Sequence, residues 1–412
     1  MSANIQAETA MSARSEHYLS LEEKYGAHNY HPLPVVLEKG EGVFVWDVDG
    51  KRYYDFLSGY SAMNQGHRHP RIMKALTDQA MKLTLTSRAF YNNVLGDFEK
   101  YITEFFGYDK VLPMNTGAEA VETALKLARK WAVKVKGLEA DKAVILTASE
   151  NFHGRTISII SFSTDPVSRD DFGPYTPGFK TVAYNDIEAL KQALEDKNVA
   201  AYLVEPIQGE AGVHVPDEGY LAQAAALCKE KNVLFIADEI QTGLARTGRM
   251  LACDHENVRP DVLILGKALS GGVLPVSAVL ADDEIMLTIQ PGEHGSTYGG
   301  NPLASAVAIE SLKVLKEENM ASHAQQMGEL FREKIRALNS PLIKEVRGKG
   351  LLNAVVINHE DENAAWDICL KLRDHGLLAK PTHGDKIRFA PPLVITKEQL
   401  LECVDIIATC LA

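Results

Sequence analysis

Seven short apolar runs, rich in β-branched residues, punctuate the chain between about residue 110 and residue 281. They are KVLPMN (110–115), AVILT (143–147), TVAY (181–184), AAYLVEP (200–206), VLFIADE (233–239), VLILG (262–266) and VSAVLA (276–281). Helix-like stretches such as AEAVETALKLARKWAVKV and GYLAQAAALCKEKN lie between them. A strand that is apolar almost throughout needs cover on both faces. Strands alternating with helices meet that need as a mainly parallel sheet with helices packed on either side. The predicted fold class is therefore α/β, with a seven-stranded sheet in the larger domain.

The flanks read differently. GVFVWDVDGKRYYDFLSG sets two aromatic-rich runs on either side of Asp49-Gly50, a hairpin turn signal. HPRIMKALTDQAMKL predicts an amphipathic helix entered at Pro70. After Pro302 a long helical stretch is expected to about Ala337, and mixed strands and helices follow to the end. The expected division is an N-terminal segment (1–60), a large domain (61–317) and a smaller α/β C-terminal domain (318–412).

The formal net charge is −12 and no basic block interrupts it, which argues against nucleic acid or an anionic membrane as partner. No apolar run approaches the roughly 20 residues of a membrane span. The five cysteines are odd in number and form no CxxC pair, as expected of reduced thiols. The N-terminal stretch lacks a basic region followed by an apolar one. It contains acidic residues and a single arginine, Arg14, in its first 20 positions, so it reads as neither a secretory signal nor a mitochondrial presequence. A cytoplasmic location is the expectation.

Candidate chemistry begins at ILGKALSGG, where an apolar run ends in Lys267. A phosphate-clamp motif fails, because Asp261 and Ala268 stand where glycine and Ser/Thr are required. Alone, a lysine at a strand end is most often simply solvated. The preceding run, however, ends in Asp238, 29 residues earlier, about one strand–connection–strand unit. Parallel neighbours would deliver both side chains to the carboxyl edge of the sheet, where open α/β folds bind ligands. A lysine that can hold an aldehyde as a Schiff base and a carboxylate that can keep a pyridine nitrogen protonated are what pyridoxal phosphate requires. Asp238 could equally be a helix cap. Thr116-Gly117, where a run breaks into a strong helix, suits a phosphate or is an ordinary capped helix start. Ser296 and Thr297 in HGSTYGGNP offer a second cradle or a flexible loop. Phe152 could stack on a ring or belong to the core, and Arg155 could bind a carboxylate. A metal site at His67 and His69, joined by His28 and His31, is set aside, since an HxH pair before Pro70 is usually polar surface.

NTGAEAVETALKLAR, FHGRT, EPIQGEAGV, ADEIQTGLARTG, GKALSGG and HGSTYGGNPLA, in that order, resemble the class III (ω-) aminotransferases of fold type I. The resemblance runs from about residue 25 to the C-terminus. Within the family, AHNYHPLPVVLEKGEGVFVWDVDGKRYYDFLSGYSAMNQGHRHP and FAPPLVITKEQL resemble the branch acting on ornithine. It implies pyridoxal 5'-phosphate as cofactor and transfer of the δ-amino group of L-ornithine to 2-oxoglutarate. Lys267 would hold the cofactor and shuttle the proton, with Asp238 on the ring nitrogen. Gln241 would bond the ring hydroxyl oxygen, and Phe152 would stack. Thr116, Gly117 and Ala118 would hold the phosphate, helped by Ser296 and Thr297 of a second copy in a homodimer. Tyr30 and Arg155 would take the α-amino and α-carboxylate end of ornithine. Glu210 and Arg388 would form a switchable ion pair beside Tyr60. Action on acetylornithine or another ω-amino acid is the alternative within this chemistry, and a non-catalytic binding module the alternative outside it.

Overall fold

A computed structural model describes residues 11–412. Three sheets organise it. β1 (Leu37–Glu41), β2 (Phe44–Asp47) and β3 (Arg52–Asp55) form an antiparallel meander. The turn between β2 and β3 contains Gly50 at φ 85°, and the Asp47 carboxylate accepts the N–H groups of Asp49 and Lys51. A side chain at position 50 would strain this backbone, so Asp49-Gly50 makes the expected hairpin.

The central sheet contains β4 (Lys110–Met114), β5 (Val144–Ala148), β6 (Phe179–Val182), β7 (Val199–Val204), β8 (Leu234–Asp238), β9 (Val262–Leu265) and β10 (Ser277–Ala281). Their spatial order is β4-β10-β9-β8-β7-β5-β6. β6, β5, β7, β8 and β9 run parallel, while β10 is antiparallel to both β4 and β9. Each of the seven apolar runs forms one strand. One boundary differs from expectation: the run expected at 181–184 forms a strand two residues earlier, β6 (Phe179–Val182). β6 ends at Val182, because Tyr184 turns away to donate its hydroxyl to the carbonyl of Pro206 at 3.0 Å. Every residue of β7, β8 and β9 is buried, which accounts for their unbroken apolar sequence.

β11 (Ile343–Lys349), β12 (Leu352–Ile357), β13 (Leu377–Leu378), β14 (Lys380–Thr382) and β15 (Lys386–Phe389) complete the strands. The third sheet is antiparallel, in the order β11-β12-β15-β14. β13 instead pairs in parallel with β3, so the C-terminal part of the chain closes the N-terminal sheet. The helical stretch after Pro302 is two helices, Pro302–Glu317 and Met320–Ala337. Asn319 separates them at φ 53°, a left-handed conformation that asparagine tolerates better than most residues.

Arg246 joins the parts. Its side chain is fully buried, with Nε and Nη2 donating to Asn64 Oδ1 (3.1 and 2.6 Å) and Nη1 to the carbonyls of Leu351 (3.0 Å) and Pro391 (2.6 Å). Burial pushes its pKa down to about 9, against the charge of Asp55. Arg246→Ala leaves these acceptors buried without a donor, and we expect a loss of about 3–5 kcal/mol. Thermal unfolding checks this: a midpoint within about 1 °C of the native chain would show that the network contributes nothing.

Candidate active site

β8 and β9 are parallel neighbours with Asp238 in register with Ile264. Lys267 follows just past the end of β9, so both residues reach the carboxyl edge together. Gly266 is extended (φ −169°), and Lys267 itself is left-handed (φ 45°) at the start of the short helical turn Lys267–Ser270. For a residue with a Cβ that backbone costs about 1–2 kcal/mol, which the surrounding packing must hold. Burial lowers the pKa of the Lys267 amine, while the charges of Asp238, Glu210 and Glu205 act in the opposite sense. The net effect is a downward shift, toward the form able to accept a proton.

Asp238 is buried, and each of its oxygens is oriented. Oδ2 is hydrogen-bonded to His153 Nδ1 at 2.7 Å and Oδ1 accepts the N–H of Ile240 at 3.1 Å. Burial works against a charged His153. The hydrogen bond to Asp238 and the charges of Asp238 and Glu205 outweigh it and raise the imidazole pKa. Glu205, just past the end of β7, accepts the N–H of Phe152 at 2.9 Å. Burial pushes its carboxyl up to about 7, with His153 lowering it and Asp238 raising it. His153 and Glu205 were not among the sequence candidates. The only available signal was that AAYLVEP ends in an acid at the same edge as VLFIADE, and that FHGRT contains an imidazole.

A cavity of about 220 Å³ is lined by Gly117, Ala118, Phe152, His153, Glu205, Asp238, Gln241 and Lys267. Gly117 opens the helix Gly117–Trp131, whose N-cap is Thr116. The Thr116 hydroxyl accepts the N–H of Glu119 (3.2 Å), and Glu119 accepts the N–H groups of Thr116 and Asn115 in return. Thr116 is exposed and does not line the cavity, whereas Gly117 and Ala118 present a helix start to it. Gln241 packs over Gly209, where a Cβ would fall 1.7 Å from its Oε1, so glycine at 209 is what lets the amide reach the cavity.

A second cavity of about 520 Å³ shares Phe152 and His153 with the first and extends past Arg155 to Glu210 and Lys386. Arg155 Nη1 donates to Ser168 Oγ at 3.1 Å, and its guanidinium lies 5.5 Å from the Phe152 ring. Arg388 is 3% exposed and pairs with Glu210 at two points, 2.7 and 3.4 Å. Its guanidinium lies 4.9 Å from the Tyr60 ring. Tyr60 has a left-handed backbone (φ 58°). Burial raises its phenol pKa, with Arg388 lowering it and Glu210 raising it. Tyr30 itself is 71% exposed. Ser296 and Thr297 do not line this chain's own cavity. Ser296 Oγ accepts from Asn115 Nδ2 (2.8 Å) and Thr297 is exposed. The four histidines of the discarded metal idea face separate partners: Glu23 for His28, Trp366 for His31, Asp55 for His67 and Glu318 for His69.

The profile described as Aminotransferase class-III matches residues 25–411. The chain belongs to the class-III aminotransferase family. It is 63% identical to the mitochondrial ornithine aminotransferase of Rattus norvegicus, over 95% of this chain and 90% of that one. It is 61% identical to its Drosophila melanogaster counterpart, over 97% and 92%. Among solved structures, the ornithine aminotransferase of Toxoplasma gondii superposes with a TM-score of 0.95 at 52% identity, covering 96% of this chain and 94% of that one. An acetylornithine aminotransferase from Elizabethkingia anophelis superposes at 0.89 with 59% identity, covering 96% and 98%.

Class-III aminotransferases use pyridoxal phosphate. The residues of this class-III site fit it: an amine whose pKa burial lowers, an oriented carboxylate, a helix start and an aromatic ring around one cavity. Lys267, Asp238, Gln241, Phe152, Gly117 and Ala118 would hold it. The buried Nε2 of His153 has no partner, so the imidazole serves Asp238 alone among the described residues.

Glu205 gives a test of these charges. Its folded pKa, about 7, lies above the ordinary 4.5. Between those values the folded chain binds more protons than the unfolded one, so this group's contribution to stability falls as pH rises from about 4.5 and levels off above about 7. Glu205→Gln keeps the shape without the titration. We expect the native midpoint to fall relative to the variant's across that window. Parallel curves would place the proton elsewhere.

Proposed function

We propose that this class-III aminotransferase moves the δ-amino group of L-ornithine to 2-oxoglutarate. The products are L-glutamate 5-semialdehyde, which cyclises to pyrroline-5-carboxylate, and L-glutamate. The observation that carries the reading is the two-point pair of Arg388 with Glu210, facing the cavity that also holds Arg155. The similarity to the rat, fly and Toxoplasma ornithine aminotransferases supports it.

Bound pyridoxal phosphate supplies a ring that accepts the electron pair left on a substrate carbon when its proton departs. Asp238, oriented by His153 and the N–H of Ile240, would keep the ring nitrogen of that group protonated. The amine of Lys267, whose pKa burial lowers, would take the proton from the δ-carbon and hold it for return. Glu205 fixes the backbone of Phe152 and thereby the ring that covers one face of the site.

Selection rests on Arg388. Ornithine must react at its δ-amine, yet a free arginine here would capture its α-carboxylate and present the α-amine. Glu210 covers Arg388, so the carboxylate goes to Arg155. 2-Oxoglutarate carries two carboxylates, and its binding uncovers Arg388 so that both arginines engage. We also propose a homodimer in which Ser296 and Thr297 of one copy complete the phosphate site of the other. The position of both outside their own cavity is in keeping with that arrangement.

The similarity to the Elizabethkingia protein supports a second reading, in which N-acetylornithine is the amine donor. Anaerobic mixing of the yellow enzyme with ornithine, N-acetylornithine or 4-aminobutyrate separates the readings, because the visible band fades with the true donor. Glu210→Ala should raise the rate of the glutamate half-reaction relative to the ornithine half-reaction by about tenfold, or ~1.4 kcal/mol. An unchanged ratio would end the gating idea.

A further inference from the structure

Lys380 in β14 stands directly opposite Arg388 in β15. In an antiparallel ladder such partners share a face, with Cα atoms roughly 4.5–5.5 Å apart, and like charges so placed destabilise the sheet. Thr382 belongs to the same face and donates its hydroxyl to the carbonyl of Glu210 at 2.8 Å. The face is therefore the one that the Glu210 loop covers. Ile387 and Phe389, alternating with Arg388, go into the hydrophobic core instead.

Lys380 is half-buried and has no ion pair of its own among the described residues. Burial and the charge of Arg388 depress its amine pKa, and Glu210 pulls the other way. Two cations thus share the ladder face that the Glu210 loop covers, and the carboxylate pairs with only one of them. The Glu210 side chain is 30% exposed, and its backbone is pinned by Thr382, so it can turn without the loop moving.

We propose that Lys380 is the second partner of Glu210, receiving its carboxylate when a substrate carboxylate takes Arg388. The inference rests on the gating reading above. Breaking a largely buried pair strands an uncompensated charge, which is costly. A waiting cation removes that cost and makes Arg388 available to a dicarboxylate. A neutral residue at 380 would relieve the repulsion across the ladder but leave Glu210 nowhere to go. Lys380 is in this sense a positioning residue that sets specificity through Glu210.

The test uses the holoenzyme and glutarate, a five-carbon dicarboxylate with no reacting group, titrated by calorimetry. Lys380→Gln should weaken glutarate about tenfold and slow the glutamate half-reaction relative to the ornithine one by a similar factor. Lys380→Arg should restore most of both. In a Glu210→Gln background, Lys380→Gln should change glutarate affinity by less than about twofold. An unchanged Kd in Lys380→Gln overturns the proposal. So does an equal loss with and without Glu210, which would mean that Lys380 acts on the ligand or on the fold. If Glu210→Ala fails to shift the half-reaction ratio, the gating reading falls. If it shifts the ratio and Lys380→Gln does not, only the present inference falls.

Discussion

Parallel pairing of β7, β8 and β9 decides what this molecule can do. Three adjacent strands, spaced about 4.8 Å apart, end at one edge and deliver Glu205, Asp238 and Lys267 to the lining of one cavity. Two acids and an amine that close, in buried surroundings, cannot titrate independently. The chain resolves the conflict by unequal support. Asp238 has an imidazole and a backbone N–H, whereas Glu205 has a single backbone N–H and its carboxyl is pushed up. The lysine is left nearer its neutral form, and Asp238 is the carboxylate that the proposed function gives to the ring nitrogen.

A second charge system lies across the cavity, and one loop connects the two. The segment after β7 begins with Glu205 at the cofactor edge and reaches Glu210 at the arginine of the small sheet. Its backbone is fixed along the way: Gln208 and His214 exchange N–H···O bonds of 3.1 and 2.9 Å, and the Gln208 amide donates to the Ser149 carbonyl at 2.6 Å. Such a loop does not swing as a lid. Any switching at Glu210 is a side-chain rotation on a rigid frame, and the partners it can reach are those the small sheet presents.

The large sheet could be read from the sequence because burial on both faces leaves an unbroken apolar run that few other structures need. Asp238 and Lys267 followed, since strand ends in a parallel sheet are delivered to a known edge. The hairpin at Asp49-Gly50 was equally plain, because φ beyond zero there demands glycine. Other features depend on contacts between distant segments. Tyr184 looked like strand and is not, because its hydroxyl finds the Pro206 carbonyl. The helix break at Asn319 lies between two segments of strong helical character, with only one asparagine to mark it. His153 and Glu205 escaped notice because their roles exist only once the loop after β5 folds back over β7 and β8. Lys380 is invisible in one dimension: its significance is the register that sets it against Arg388.

Why selection should fall to a charge pair follows from the proposed substrates. Ornithine and 2-oxoglutarate share a five-carbon chain, so pocket length cannot sort them. Differences of a methylene or so in apolar contact provide only about 1–3 kcal/mol. What differs is charge: two ammonium groups and one carboxylate against two carboxylates. A fixed cation beside the cofactor would suit the second and misdirect the first, and a fixed neutral site would do the reverse. One arginine that is covered or uncovered serves both, provided that its cover has somewhere to go. The small sheet meets that condition by placing two cations on one face with a single carboxylate above them, which accepts a standing repulsion in exchange for two addresses for Glu210.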